Sequence, residues 1–103
     1  MITFTELLKR AETEKIAIHT PTEAQAKKLL KELNKRGYEW RTGTKLTDIS
    51  RYGDEKENTC YSFYYCYGRL LDKKVLYGSL DFYQEEGYTI IEFSEINFKE
   101  EGK

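Results

Sequence analysis

Apolar and polar positions change their period several times along this chain, and each change marks an element. From Lys15 to Trp40 the residues read KIAIH, TPTEAQAKKLLKELNKRG and YEW: a strand, an amphipathic helix and a second strand. In the helix Ala26, Leu29, Leu30 and Leu33 share one face at helical spacing, and Lys27, Lys28, Lys31 and Lys35 share the opposite one. Thr20, followed by Pro21 and three residues on by Glu23, predicts an N-cap hydroxyl, a proline at the first helical position and a capping-box carboxylate. Gly37 suits the left-handed position that ends a helix. The short connections predict parallel pairing of the two flanking strands through a right-handed crossover, with Ile16 and Ile18 beneath the helix.

The other segments are arranged around that unit. Thr3 and Glu6 stand in capping-box register ahead of an apolar stripe of Phe4, Leu7, Leu8 and Ala11, which predicts an N-terminal helix ending near Glu14. Its expected role is to cover the sheet, with partner binding as the alternative. Residues 38–41 alternate as in a half-buried strand. Residues 43–57 break the pattern, holding only Leu46, Ile49 and Tyr52 as sizeable apolar residues. Loops longer than about 12 to 15 residues without structure of their own are often functional, so this stretch is the expected binding surface; the alternative is a connection with a short helical turn anchored by Leu46 and Ile49. Residues 58–68 then read as a strand with Tyr61, Phe63, Tyr65 and Tyr67 on one face and Cys60, Ser62, Tyr64 and Cys66 on the other. A turn over residues 68–74 leads to an antiparallel return at residues 75–77. Ser79 is placed to cap a helix running to Glu86 that carries Leu80 and Tyr83 inward and closes at Gly87. Ile90 and Ile91 on opposite faces of the strand at residues 88–93 predict a central position, and residues 98–103 read as a frayed tail. The fold class expected is α+β: one domain over residues 1–103, with a mixed sheet of about five strands, a β-α-β crossover unit and helices mainly on one face.

Charge and cysteine content narrow the classes. With 17 basic and 18 acidic residues among 103, the formal net charge is −1, without the field of a dedicated nucleic-acid binder or polybasic membrane module. The start MITFTELLKRAETE is charged and amphipathic, unlike a signal peptide, and no apolar run approaches the roughly 20 residues needed to span a bilayer. A cytoplasmic location away from membrane is therefore expected. Cys60 and Cys66 lie in one predicted strand, roughly 20 Å apart at about 3.3 Å per residue, beyond disulfide reach. With His19 as the single histidine no metal site is expected, and no cofactor motif occurs.

Chemistry-bearing positions are few. His19 stands at a strand end before a helix, where it could contact an anion or ligand, but the following loop is not glycine-rich; a surface or packing role is the plainer alternative. Asp48, Asp54, Glu55, Glu57, Glu92 and Glu95 show no paired acid/base spacing. The lysine face would suggest nucleic acid only if Arg36, Arg41 and Lys45 extended it into a patch, and the strand tyrosines are only a faint echo of single-strand stacking. Nine tyrosines instead favour binding without catalysis, since such rings dominate protein–protein hot spots and ligand cages. The candidate binding residues are Arg41, Lys45, Asp48, Arg51, Tyr52 and Asp54 from the loop, and Tyr61, Tyr65 and Tyr67 from the strand. A symmetric homodimer through the aromatic face would use the same surface.

The wording of IAIHTPTEAQAKKLLKELNKRGYEW, of ENTCY at 57–61, YGS at 77–79 and GYTIIEFSE at 87–95 resembles small uncharacterised proteins encoded by bacteriophages and prophages of Gram-positive bacteria. The resemblance covers most of residues 15–95 and transfers no functional residue. It implies a setting: such accessory proteins commonly bind and inhibit a host protein, including nucleases of defence systems in the anti-CRISPR manner, or sequester a nucleotide signal. Inhibition of a host or defence protein is the leading expectation. Binding of a nucleotide or small molecule through His19, Arg41 and loop tyrosines is the alternative, and single-stranded nucleic acid a further one.

Overall fold

Several strands of this chain carry apolar side chains on both faces, and the fold covers both. The computed structural model describes residues 1–66 and 69–99, the side chains of residues 64–66 and 69–72 excepted. Its strands are β1 (Ile2–Thr3), β2 (Ile16–His19), β3 (Glu39–Trp40), β4 (Thr59–Cys66), β5 (Arg69–Ser79), β6 (Thr89–Glu92) and β7 (Ile96–Asn97). Its helices are α1 (Phe4–Arg10), α2 (Glu23–Lys35), α3 (Tyr52–Glu55) and α4 (Leu80–Glu85). β1 and β7 form a parallel ribbon, and the other strands form one mixed sheet in the order β3-β5-β4-β2-β6, giving a single α+β domain.

Each sheet face has its own cluster. Ile16, Ile18, Tyr61, Phe63, Val75, Trp40 and Ile91 point to the face covered by Phe4 and Leu7 of α1 and by Ala26, Leu29, Leu30 and Leu33 of α2. Burying a leucine of that kind contributes roughly 1.5–3 kcal/mol. Ala17 and Cys60 point the other way and are covered by Tyr83 of α4, with Leu80, Tyr88 and Ile90 around them.

The helix α2 begins one turn-fraction later than the sequence suggests. Thr22, not Thr20, is the N-cap, and the capping box closes with Gln25 rather than Glu23. Thr20 is drawn into the sheet instead: its N–H and hydroxyl both donate to the Thr59 carbonyl, at 2.9 and 3.2 Å. Pro21 therefore precedes the cap. The C-terminus is as expected, with Gly37 at φ +87° and the Schellman pair of Tyr38 N–H to Leu33 O and Gly37 N–H to Asn34 O, each 3.1 Å.

The two strands flanking α2 are parallel but not neighbours. β4 pairs antiparallel with both β2 and β5, and β3 pairs in parallel with β5, so two strands separate β2 from β3. A long strand that is apolar on both faces is most fully covered at the centre, which β4 occupies. The second parallel crossover, β5-α4-β6, runs back across the sheet in the opposite direction. Two crossovers of one handedness running in opposite directions must lie on opposite faces, and α2 and α4 do.

Other boundaries also differ from expectation. α1 stops at Arg10, with turns over residues 11–14. β5 begins at Arg69, so most of the expected turn at 68–74 is strand. β6 is an edge strand rather than a central one, its two faces covered by Ile91 in the main core and Ile90 in the second cluster. Phe98, assigned to the frayed tail, packs its ring on Phe4 and Phe93 with centroids 4.8 and 5.1 Å apart. The expected open aromatic face is interior where it is described: Tyr61 and Phe63 are each 1% exposed. The side chains of Tyr65 and Cys66, and Tyr67 altogether, lie outside the described residues.

Candidate partner-binding site

The segment from Arg41 to Asn58 follows β3 and is pinned at defined points. Gly43, at φ +95°, closes a turn by donating its N–H to Trp40 O at 2.8 Å, and a side chain would be strained there. Leu46 is fully buried and anchors the middle, whereas Ile49, the other expected anchor, is 44% exposed. Beyond it, aromatic donors hold the backbone. Trp40 Nε1–H donates to Ile49 O at 2.9 Å, the Tyr61 hydroxyl to Ser50 O, and the Tyr52 hydroxyl to Pro21 O at 2.7 Å. The Tyr77 hydroxyl donates to Asp54 Oδ2 at 2.7 Å, a bond that holds the phenol above its ordinary pKa. The segment is thus a set of turns with α3 and a 3-10 turn (Lys56–Asn58) inside it, closer to the expected alternative of a connection with a short helical turn, although Ile49 is not an anchor.

Arg51 is the tense point of this segment. It adopts φ +64° in the left-handed region, where a side chain costs roughly 1–2 kcal/mol. Its guanidinium lies 5.5 Å from the centroid of the Tyr77 ring. Tyr77 in turn meets Trp40 edge-on, with centroids 6.0 Å apart. Between the turn and the loop lies a concave site of about 220 Å3, lined chiefly by Trp40, Arg41, Thr44, Ile49, Arg51 and Tyr77. Its lining combines two arginines with aromatic and aliphatic residues.

The structure brings only some of the sequence candidates to this place. Arg41 and Arg51 line it, and Asp54 borders it through Tyr77. Lys45 is exposed, and its backbone forms an isolated antiparallel β-bridge with Glu39, whose carboxylate pairs with Lys74. Asp48 lies on a separate groove with Lys27 and Lys31 of α2. Tyr52 is a tether to Pro21, and Tyr61 is a core residue whose hydroxyl serves the loop from below. Sequence reasoning did not assign Trp40, Ile49 or Tyr77 to a site. For Trp40 and Tyr77 the only signal was strand parity, which says which face a ring takes but not that the chain will leave a hollow beside it; Ile49 was read only as a candidate anchor of the loop.

His19 is engaged within the fold. Its Nδ1 lies 2.8 Å from Glu92 Oε1, its Nε2 lies 2.8 Å from the Glu57 carbonyl, and the side chain is 12% exposed. It joins the ends of β2 and β6 to the turn before β4. Among the described residues no cluster of His, Cys, Asp or Glu is arranged to hold a metal ion, and no helix is long and apolar enough to cross a membrane. The lysine face of α2 does not grow into a patch through Arg36. Lys27 pairs with Glu23, Lys28 and Lys35 pair with Glu32, and Arg36 lies over the Phe4 ring. Burial pushes the Cys60 thiol up to about 12, so it is a packing group rather than a nucleophile.

No family model, curated protein or solved structure matches the chain, so the site is read from its own geometry.

Proposed function

We propose that this chain acts without catalysis as a binding protein, capturing a partner protein by an acidic group received between Arg41 and Arg51. The carrying observation is the hollow itself: about 220 Å3, with Arg41 and Arg51 in its lining beside Trp40 and Tyr77. Arginine neither gives nor takes a proton near neutral pH and is well suited to grip a carboxylate in two-point fashion, which favours recognition over turnover. Size favours a side chain of a protein over a whole nucleotide, because small-molecule pockets usually span about 300–1,000 Å3. The paired lysines of α2 likewise speak against a nucleic-acid track. The resemblance to phage accessory proteins supports a bacterial host or defence protein as the partner.

Affinity capture from lysate of a Gram-positive host at low salt tests this. A stoichiometric partner should be retained by the native chain and lost with Arg41→Glu/Arg51→Glu. Absence of any stoichiometric partner, or retention that ignores the double substitution, sinks the reading. A thermal-shift screen against nucleotides addresses the competing reading, in which saturable stabilisation follows from ligand binding to the folded state.

A further inference from the structure

One side of the hollow is the β5 stretch from Val75 to Tyr77. β3 pairs with β5 only at Glu39–Lys74 and Trp40–Val75, and the last rung is Arg41 N–H to Val75 O at 3.2 Å. The Gly43 turn then takes the chain away, while β5 runs on to Ser79. The direction of the next groups on β5 is fixed twice over. Val75 turns its carbonyl toward β3, so by the period of two Tyr77 turns its N–H and C=O the same way. From the other side, Thr59 faces Ser79 and Tyr61 faces Tyr77 across the ladder, and Thr59 gives its carbonyl to Thr20 beside β2. These are therefore the pairs that do not exchange hydrogen bonds between β4 and β5. The Tyr77 N–H and C=O thus lie on the sheet edge at the hollow, and among the described residues no strand runs beside them. Such an edge is a template for pairing with another chain.

We propose that this edge receives an extended acidic segment of the partner protein, which adds as a short strand in line with β3 and sets its carboxylates against Arg41 and Arg51. The inference rests on the reading of the hollow as a partner-protein site. Charge chooses the occupant. The residues lining the hollow include Arg41, at the end of β3, and Arg51, on the facing loop, and no acidic residue; Asp54 lies beside the hollow at the Tyr77 hydroxyl. Length limits it. From Val75 to Ser79, where α4 begins, the edge spans about 13 Å at about 3.3 Å per residue, room for three or four residues. Main-chain bonds supply affinity in this mode and alternate side chains supply specificity.

The probe is the capped hexapeptide TVEVDT, titrated into the 15N-labelled full chain with amide exchange read by NMR. It should slow exchange of the Tyr77 amide by about tenfold or more at saturation, and the lysine counterpart TVKVKT should leave it unchanged. N-methylation separates strand addition from side-chain docking, since only alternate amides face the edge. Of two peptides methylated at odd or at even positions, one should bind and the other should not. Failure of TVEVDT to bind, binding that leaves Tyr77 exchange unaltered, or equal binding of both methylated forms overturns the proposal. If capture from lysate still depends on Arg41 and Arg51 in those cases, recognition by side chains alone stands; if capture itself fails, the parent reading is what falls.

Discussion

At the scale of single residues, the hydroxyl of Tyr61 does more than its position in the pattern suggests. Its ring is buried against Trp40, at a centroid distance of 6.0 Å, and burial raises its pKa well above the ordinary phenol value. Its hydroxyl nevertheless reaches through the core to Ser50 O, one residue before strained Arg51. Tyr61→Phe keeps the ring and leaves that carbonyl without its donor. It should cost about 1–3 kcal/mol in urea unfolding and speed amide exchange over residues 49–52; unchanged exchange there would show that the hydroxyl does not hold the loop. Parity in the sequence placed Tyr61 and Phe63 on a common face. It could not say that this face is interior, because that depends on which side α1 and α2 cover. Nor could it supply the hydroxyl's partner, a backbone carbonyl with no signature of its own. Gly78 illustrates the same limit: a Cβ there would lie 3.2 Å from Tyr83 Cε2, a close approach set by α4 from outside the strand.

At the scale of elements, helices were legible and strand order was not. The α2 stripe and its Gly37 terminus depend on residues a few positions apart, as do the Thr3–Glu6 capping box and the Ser79 cap of α4. The start of α2 was misassigned because the sequence carries two overlapping caps, Thr20 with Glu23 and Thr22 with Gln25. A long-range bond decides between them, since Thr20 is held by Thr59. Thr22→Ala should therefore cost about 1 kcal/mol, measured by thermal or urea unfolding. In Thr20→Val the expected change is at the β2–β4 junction, with faster amide exchange near Thr59 and intact helicity by circular dichroism. Loss of helicity from Thr20→Val alone would reverse this assignment. Strand order was illegible for a related reason: β2 takes neighbours from distant parts of the chain, and its own four residues carry no mark of which.

At the scale of the molecule, both sheet faces enclose groups that are neutral when buried. Tyr83, hydrogen-bonded to Ser62 at 2.7 Å, and Cys60 are each pushed up to about 12, chiefly by burial, from ordinary values of 10.0 and 9.0. Folded values above unfolded ones mean that the native chain keeps protons the unfolded chain releases. This stabilisation is complete below about pH 9 and is lost as pH rises toward 12, at up to about 1.4 kcal/mol per pH unit for each group. Urea midpoints at pH 8, 9.5 and 11 should fall along that arm, and Tyr83→Phe should flatten it even though it lowers stability at neutral pH. A slope unaffected by the substitution would place the titrating groups elsewhere. At the acid end Glu32 acts with the opposite sign. Burial opposes its charge, but Lys35 and Lys28 outweigh that and hold its carboxyl below the usual range. Its contribution is present above the ordinary carboxylate pKa and disappears as pH falls through the folded value.

The strand order has a consequence for how the chain comes into being. β2 is hydrogen-bonded by β4 and β6, both made later in synthesis, and β3 waits for β5. During vectorial synthesis the first forty residues can form α2 but have no lasting place to lay their strands, so folding closes late, when the C-terminal segments slot in on either side. A chain interrupted before Thr89 would leave one flank of Ile16–His19 bare, an adhesive surface where the finished protein has a seam.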